Sequence, residues 1–563
     1  MASETDERQA PRPLILIRGF GGVGVDDDRA NPYQGFNDGT VYPGRRGENY
    51  IYEGFVLRAM KSPEHPYRDA TNVAGFYSAH QDAPPDVGSL DEDDVTGTIV
   101  LDPAVEQKVL SQGTAGTIWI FRYYDLSPRA LAIYGRGLER LVTLIRRSAE
   151  RHGEEFRGVD IVAHSMGGLV TREGLIAMHE TSEAFRGQTD ASEAAADAIA
   201  PRALVHRIVT LGTPHRGIAF QRTPEWLLRA LPKVEDAADE LASFDPESTR
   251  FREWDAVYDR RNVLTVVGTN YRSYDIGIAS ALNRLSSLLN DGSMVYNRSD
   301  GLVKQASAQL PGAPRTFVHK CHGGNDSLVT SREAYEIAMR FFHGTHRIAL
   351  FLEEAEVTRG GDWIGRSEFY FGVTIKPRFV DFELFHQSVE AENCYGPFHE
   401  KDLTDDLGDL EQALLRPLAD FGGATDWAGP DRLIWEGWIN AALKPGDAHG
   451  LVFRVDFYVG ERDTFGIGFS DNVVYRKQYY VQAFPATQAE VAGARTEIYL
   501  HTGEQHLVGA QALDQAGVRA RAADHAAPDV VAAAPVDGSP GDWTFEIDGT
   551  GFSGTFRIRI EED

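Results

Sequence analysis

The sequence predicts an α/β domain built on a mainly parallel sheet, followed by an all-β sandwich. From residue 13 to about 344, short apolar runs alternate with helical periodicities, the pattern of parallel strands joined by crossover helices. From 345 to 563 the chain changes to strand-length segments bounded by turn residues: IALFLEEAEV, SEFYFGVTIKP, LIWEGWINAAL, LVFRVDFYVG, YRKQYYVQAF, TEIYLHT, WTFEID and GTFRIRIEE. These read as a sandwich of about eight strands. A length of 563 residues is too great for one core. The expected domains are therefore 1–344 and 345–563.

Composition excludes several classes. With 42% hydrophobic and 25% charged residues the chain reads as soluble and globular. No apolar run approaches the length needed to span a bilayer. The opening MASETDERQAPRP is polar and acidic and lacks the basic start and apolar centre of a secretory signal. The expectation is a cytoplasmic protein, although a shortened secreted chain would read the same. A net charge of -28 would repel nucleic acid phosphates, and it disfavours anionic lipid surfaces unless a basic patch exists. The two cysteines, Cys321 and Cys394, fall in different expected domains, so no disulfide framework is indicated.

The elements follow in order. PLILI (13–17) is an apolar strand, and Gly19, Gly21, Gly22 and Gly24 make the turn after it. A phosphate-cradling loop is the rival reading, but no Lys-Ser/Thr follows and no helix opens directly. Residues 29–116 read as a long insertion, with a helix over Tyr50–Lys61 and a solvated acidic run at Asp91–Asp94. Thr117–Tyr124 is a strand. Ser127-Pro128 opens a helix whose Leu131, Tyr134, Leu138, Leu141, Val142 and Ile145 repeat at core spacing, and Gly153 ends it. Val159–Ala163 is a buried strand. It breaks at His164-Ser165-Met166-Gly167-Gly168, and a helix runs on to about Glu180. A serine between strand and helix, flanked by the small Ala163 and Gly167, has the context of a nucleophile elbow. Thr181–Ala200 is polar and alanine-rich, an exposed stretch. Val205–Leu211 and Val263–Gly268 are further core strands. Thr316–Val318 is a short one, and Ser331 caps a last helix, Glu333–Phe342.

Four spaced motifs, RGFGG, AHSMGG, TLGTPHRG and SDGLV, resemble those of the lipases and carboxylesterases of the α/β-hydrolase superfamily. Ala163 stands where the elbow usually has glycine, and Arg18 where the family has histidine. The resemblance implies a Ser-Asp-His triad, in that chain order, around the nucleophile Ser165. It places Asp300, in an SDGLV context like the family's SDGVV, as the acid; a simple Asp-Gly turn is the competing reading. His319 and His322 compete as the base. Context favours His322, which lies past the strand in a glycine-containing loop. The backbone amides of Phe20 and Met166 are implied as the oxyanion hole. His164 reads as structural and His215 as positional. Residues 218–258 are either a cap over an acyl pocket or a packing helix.

The implied activity is hydrolysis of ester or lipid small molecules through an acyl-enzyme, with no cofactor. Acyl transfer and thioester hydrolysis use the same groups, and a degenerate hydrolase acting as a binding or scaffold protein is the alternative of another class. In the second domain, Asp362–Tyr370 resembles the first loop of C2 domains, with Glu368 and Phe369 where that family has Asp-Pro. Asp456, Asp463 and Asp471 sit in and after a later strand. This resemblance implies calcium, a cation suited to oxygen ligands, and peripheral contact with lipid or protein; a solvated loop is the other reading.

Overall fold

A computed structural model describes residues 10–19, 33–41, 50–51, 53–77, 98–101, 111–123, 131–189, 192–215, 256–271, 299–305, 307–310, 312–324, 326–357, 368–377, 383–388, 391, 393–398, 432–440, 450–462, 472–484, 496–507, 512–524, 526, 529–539 and 541–563. Phe20, the acidic run Asp91–Asp94, Ser127-Pro128, most of the 218–258 stretch, the Asp362–Ser367 loop, Asp463 and Asp471 lie outside them. The described residues divide into two compact units. One takes residues up to 271 with 299–314 and 320–335, and the other takes 315–319 and 336–563.

The first unit is built on six parallel strands. They are β1 (Leu14–Ile17), β2 (Arg68–Tyr77), β4 (Thr117–Arg122), β5 (Val159–His164), β6 (Val205–Leu211) and β7 (Val263–Gly268), with β3 (Thr98–Leu101) antiparallel at one edge. Their order is β7-β6-β5-β1-β4-β2-β3. Every residue of β1, β4, β5 and β7 is buried. Strands covered on both faces read as continuous apolar runs, which is why these four stand out in the sequence. The stretch read as an insertion supplies two strands of this sheet, β2 and β3. RDATNVAGFY has scattered apolar residues and no continuous run, so its pairing with β4 left little sequence signal.

Helix α1 (Phe55–Lys61) is shorter than the expected Tyr50–Lys61. Tyr50–Ile51 pairs instead with Thr40–Val41. The break falls at Gly54, where any Cβ would lie 2.3 Å from the Asn37 carbonyl carbon. Helix α2 (Leu131–His152) buries all six of the expected core positions. Helix α3 (Met166–Arg186) runs past Glu180. Buried Ser182 donates to the Ala196 carbonyl (2.8 Å), and Arg186 pairs with Asp197. These are polar ties that apolar periodicity does not register. Helix α4 (Arg332–His343) starts with the Ser331 hydroxyl accepting from the Ala334 amide at 3.0 Å, a side-chain cap.

The second unit holds two antiparallel sheets. One has the order β10 (Leu433–Ile439), β8 (His346–Val357), β15 (Phe552–Glu562), β14 (Asp542–Gly549). The other has β9 (Glu368–Pro377), β11 (Leu451–Arg462), β12 (Asn472–Phe484), β13 (Glu497–His501), with short flanking strands. Phe371 and Phe457 of the second sheet meet Phe556 of the first at 6.4 and 4.6 Å between ring centroids, and Phe371 also meets Phe552 at 5.9 Å. Two sheets facing each other across an aromatic layer make the expected sandwich. Asp456 lies mid-strand in β11, opposite Thr374, six residues and thus about 20 Å from the strand end at Arg462. Its carboxylate bonds Arg454 at 2.8 Å. Asp456 therefore sits within the strand itself, as the sequence reading placed it. Among the described residues no three His, Cys, Asp or Glu side chains gather as metal ligands would. No helix there is long and apolar enough to cross a membrane.

Candidate active site

The site forms at the carboxyl ends of β5, β6 and β7, the edge where open parallel sheets place their ligands. Strand β5 ends at His164, and α3 starts at Met166. Ser165 between them has φ 54° and ψ −127°, a conformation that residues with a Cβ seldom adopt. Its amide donates to the Leu211 carbonyl of β6 at 2.9 Å, which fixes the turn to the sheet. The chain after β1 comes so close that a Cβ on Gly19 would sit 2.4 Å from the Ser165 Cβ. Gly167 likewise leaves no room for a side chain, which would meet the Ile17 carbonyl at 2.6 Å. These contacts are the local reason for small residues on both segments.

Ser165, Asp300 and His322 come together. The His322 Nδ1–H donates to Asp300 Oδ2 at 2.8 Å, since a carboxylate can only accept. The Nε2 lone pair then faces the Ser165 hydroxyl, with 2.9 Å between Nε2 and Oγ. Asp300 and His322 are buried, and Ser165 is partly exposed. Asp300 serves in two ways. Its Oδ1 accepts from the Leu302 and Val303 amides at 3.0 and 2.7 Å, an Asp turn, while Oδ2 holds the histidine. The turn of the competing reading is therefore formed, and the same carboxylate also reaches His322. The His322 amide also donates to the Asp300 carbonyl at 2.8 Å. His319, the other candidate base, sets its ring against His386 with centroids 5.9 Å apart.

His164 and His215 are both buried. The His164 Nε2–H donates to the His322 carbonyl at 2.8 Å, and the two rings lie 4.8 Å apart. Burial, with His322 and Arg18 nearby, holds its pKa well below the ordinary histidine value. His215 bonds the Thr210 hydroxyl at 3.0 Å, and burial beside Arg172 lowers its pKa to about 3. Met166 is partly buried against the core, and Phe20 lies outside the described residues. For Cys321, next to His322, burial and the carboxylates of Asp326 and Asp300 push the thiol up to about 12, which disfavours the thiolate.

Sequence reasoning overlooked Lys320 and Asn270, both of which meet Asp326. The buried Lys320 Nζ lies 2.8 Å from Asp326 Oδ1, and Asn270 Nδ2 donates to Asp326 Oδ2 at 3.4 Å. Asn270 also donates its amide to the Lys320 carbonyl (3.1 Å), and Cys321 donates to the Asp326 carbonyl (3.0 Å). Together they brace both ends of the loop that carries His322. A lysine and an aspartate flanking the histidine were the available signal.

No protein-family model matches this sequence, and no curated protein matches it. Among solved structures, phospholipase PlaB from Legionella pneumophila in complex with thio-NAD is similar at 13% identity. That likeness covers 64% of this chain and 85% of that one, with a TM-score of 0.27. A second PlaB structure gives 14% identity, 63% and 80% coverage and a TM-score of 0.25. Human GIVD cytosolic phospholipase A2 gives 8% identity, 39% and 33% coverage and a TM-score of 0.12. Scores of this size do not establish a common fold.

Proposed function

We propose that this chain is a serine hydrolase of carboxylic esters, lipid esters included, acting through an acyl-enzyme on Ser165. The observation that carries this reading is the unbroken hydrogen-bonded path from Asp300 Oδ2 through His322 to Ser165 Oγ, at 2.8 and 2.9 Å. A serine hydroxyl is a poor nucleophile until a base removes its proton. His322 Nε2 takes that proton as Oγ bonds to the ester carbonyl carbon, and Asp300 stabilises the imidazolium through Nδ1–H. The Met166 amide, first in α3, and the Phe20 amide, which the motif resemblance implies, are the donors assigned to the oxyanion. Such donors contribute on the order of a few kcal/mol each to the barrier. When the carbonyl re-forms, the ester C–O bond breaks and His322 gives its proton to the departing alkoxide. Water then attacks the acyl-enzyme by the same route, releases the acid and restores Ser165.

The test is hydrolysis of a chromogenic ester series from acetate to palmitate by the wild type and by Ser165→Ala. Turnover in the wild type that disappears in the variant is expected, and the preferred chain length then separates esterase from lipase. Equal rates in both proteins, or no turnover of any ester, would overturn the reading.

A further inference from the structure

The base of the proposed reaction sits in a loop, and loops drift unless something holds them. The two ring nitrogens of His322 cannot do this alone, because they are the groups being positioned. Its backbone is held at both polar atoms. The amide donates to the Asp300 carbonyl at 2.8 Å. The carbonyl accepts from His164 Nε2 at 2.8 Å. His164 is the residue directly before Ser165 and is buried at 5% exposure. Its other nitrogen, Nδ1, is buried with no hydrogen-bond partner among the described residues. A bare buried nitrogen is a cost that a packing residue would avoid.

We infer that His164 is a positioning residue: its Nε2–H clamps the carbonyl of His322 and ties the loop of the base to the turn of the nucleophile. The inference rests on His322 acting as the base. A carbonyl can only accept, so the single proton of a neutral His164 stands on Nε2. The neutral form is what the proposed chemistry requires here, because His322 becomes cationic during attack and a second cation 4.8 Å away would oppose it. Backbone clamps of this kind matter because reacting groups must be held within a few tenths of an ångström of the productive geometry.

The experiment measures kcat and KM for one chromogenic ester, and the ring-nitrogen NMR shifts of His322, in wild type, His164→Leu, His164→Asn and His164→Gln. Glutamine carries an N–H donor at about the reach of Nε2, whereas leucine has none and the asparagine amide falls short. The expected result is a kcat lowered roughly 10- to 100-fold in the leucine and asparagine variants, with KM within about twofold. Glutamine should restore kcat to within about threefold of wild type. The NMR spectra should show His322 in one Nδ1-protonated form in wild type and glutamine and as a mixture in the other two. Wild-type kcat in the leucine or asparagine variant, or a glutamine variant as slow as they are, overturns the clamp. Asparagine decides the matter if leucine does not fold. If the wild type cleaves no ester, the hydrolase reading fails by itself. The NMR comparison then still decides, since an unchanged His322 spectrum in the variants overturns the positioning role.

Discussion

Gly212, at the end of β6, offers a sharp test of how tightly the proposed acid and base, Asp300 and His322, are packed. It has φ +56°, and a Cβ there would lie 2.8 Å from Asp300 Oδ2 and 3.2 Å from His322 Nδ1. Ordinary Cβ contacts begin at 3.4 Å, so Gly212→Ala must push the carboxylate back by about 0.6 Å. That would stretch the 2.8 Å bond to His322 to the limit of a useful hydrogen bond. A misplacement of about 1 Å can cost about a hundredfold in rate, so kcat should fall roughly 10- to 100-fold. The left-handed backbone adds about 1–2 kcal/mol of lost stability. Gly153, after α2, is the control. It has φ +75° with nothing within 4 Å of its Cβ position. Gly153→Ala carries the same backbone cost without the wedge. The assay is kcat on one chromogenic ester, paired with urea unfolding, for both variants. A loss of stability in both variants, larger in Gly212→Ala, with a kcat loss confined to Gly212→Ala is expected. Equal kcat in the two variants would refute the wedge argument.

Further outcomes can be checked in the same assays. Ser165→Ala should lower kcat by about 10⁶ and abolish covalent labelling by a fluorophosphonate, read by mass spectrometry. Asp300→Asn should lower kcat by about 10⁴ with little change in fold, because an amide no longer selects the Nδ1–H form of His322. Lys320→Met leaves the buried Asp326 without its cation and should destabilise the protein by about 3–5 kcal/mol in urea unfolding. Lys320→Met combined with Asp326→Leu should recover much of that loss. His501, buried and bonded to Gln482 at 2.9 Å, has its pKa lowered to about 4 by desolvation and by nearby His506. A histidine kept neutral on folding takes up its proton in the unfolded chain first. Its contribution is therefore full above pH about 6.5 and is lost as pH falls to about 4, roughly 3 kcal/mol in all. His501→Gln should flatten the pH dependence of urea stability across that window; an unchanged slope would exclude His501 as a cause.

What the sequence reveals of this molecule follows the range of each signal. The β5–Ser165–α3 turn is written in a dozen consecutive residues, because burial on both faces makes an apolar run and a tight turn demands small residues. The eight long sandwich strands are legible for a related reason, since half-buried strands alternate. Asp300 and His322 were reached from motif resemblance and chain order, and the structure brings both to Ser165. Strands β2 and β3 escaped notice because they lack continuous apolar runs. The contacts of Lys320 with Asp326 and of His164 with His322 escaped for a different reason. Single polar bonds between distant segments impose no period on the sequence.

The strained backbone at Ser165 also bears on how inactive forms of this protein should be chosen. A residue with a Cβ held at φ 54° and ψ −127° stores on the order of 1–3 kcal/mol. Alanine removes the hydroxyl but keeps that burden, so Ser165→Ala is a faithful substitute for trapping a bound ester. Glycine removes hydroxyl and strain together, and Ser165→Gly should emerge sturdier than the natural protein.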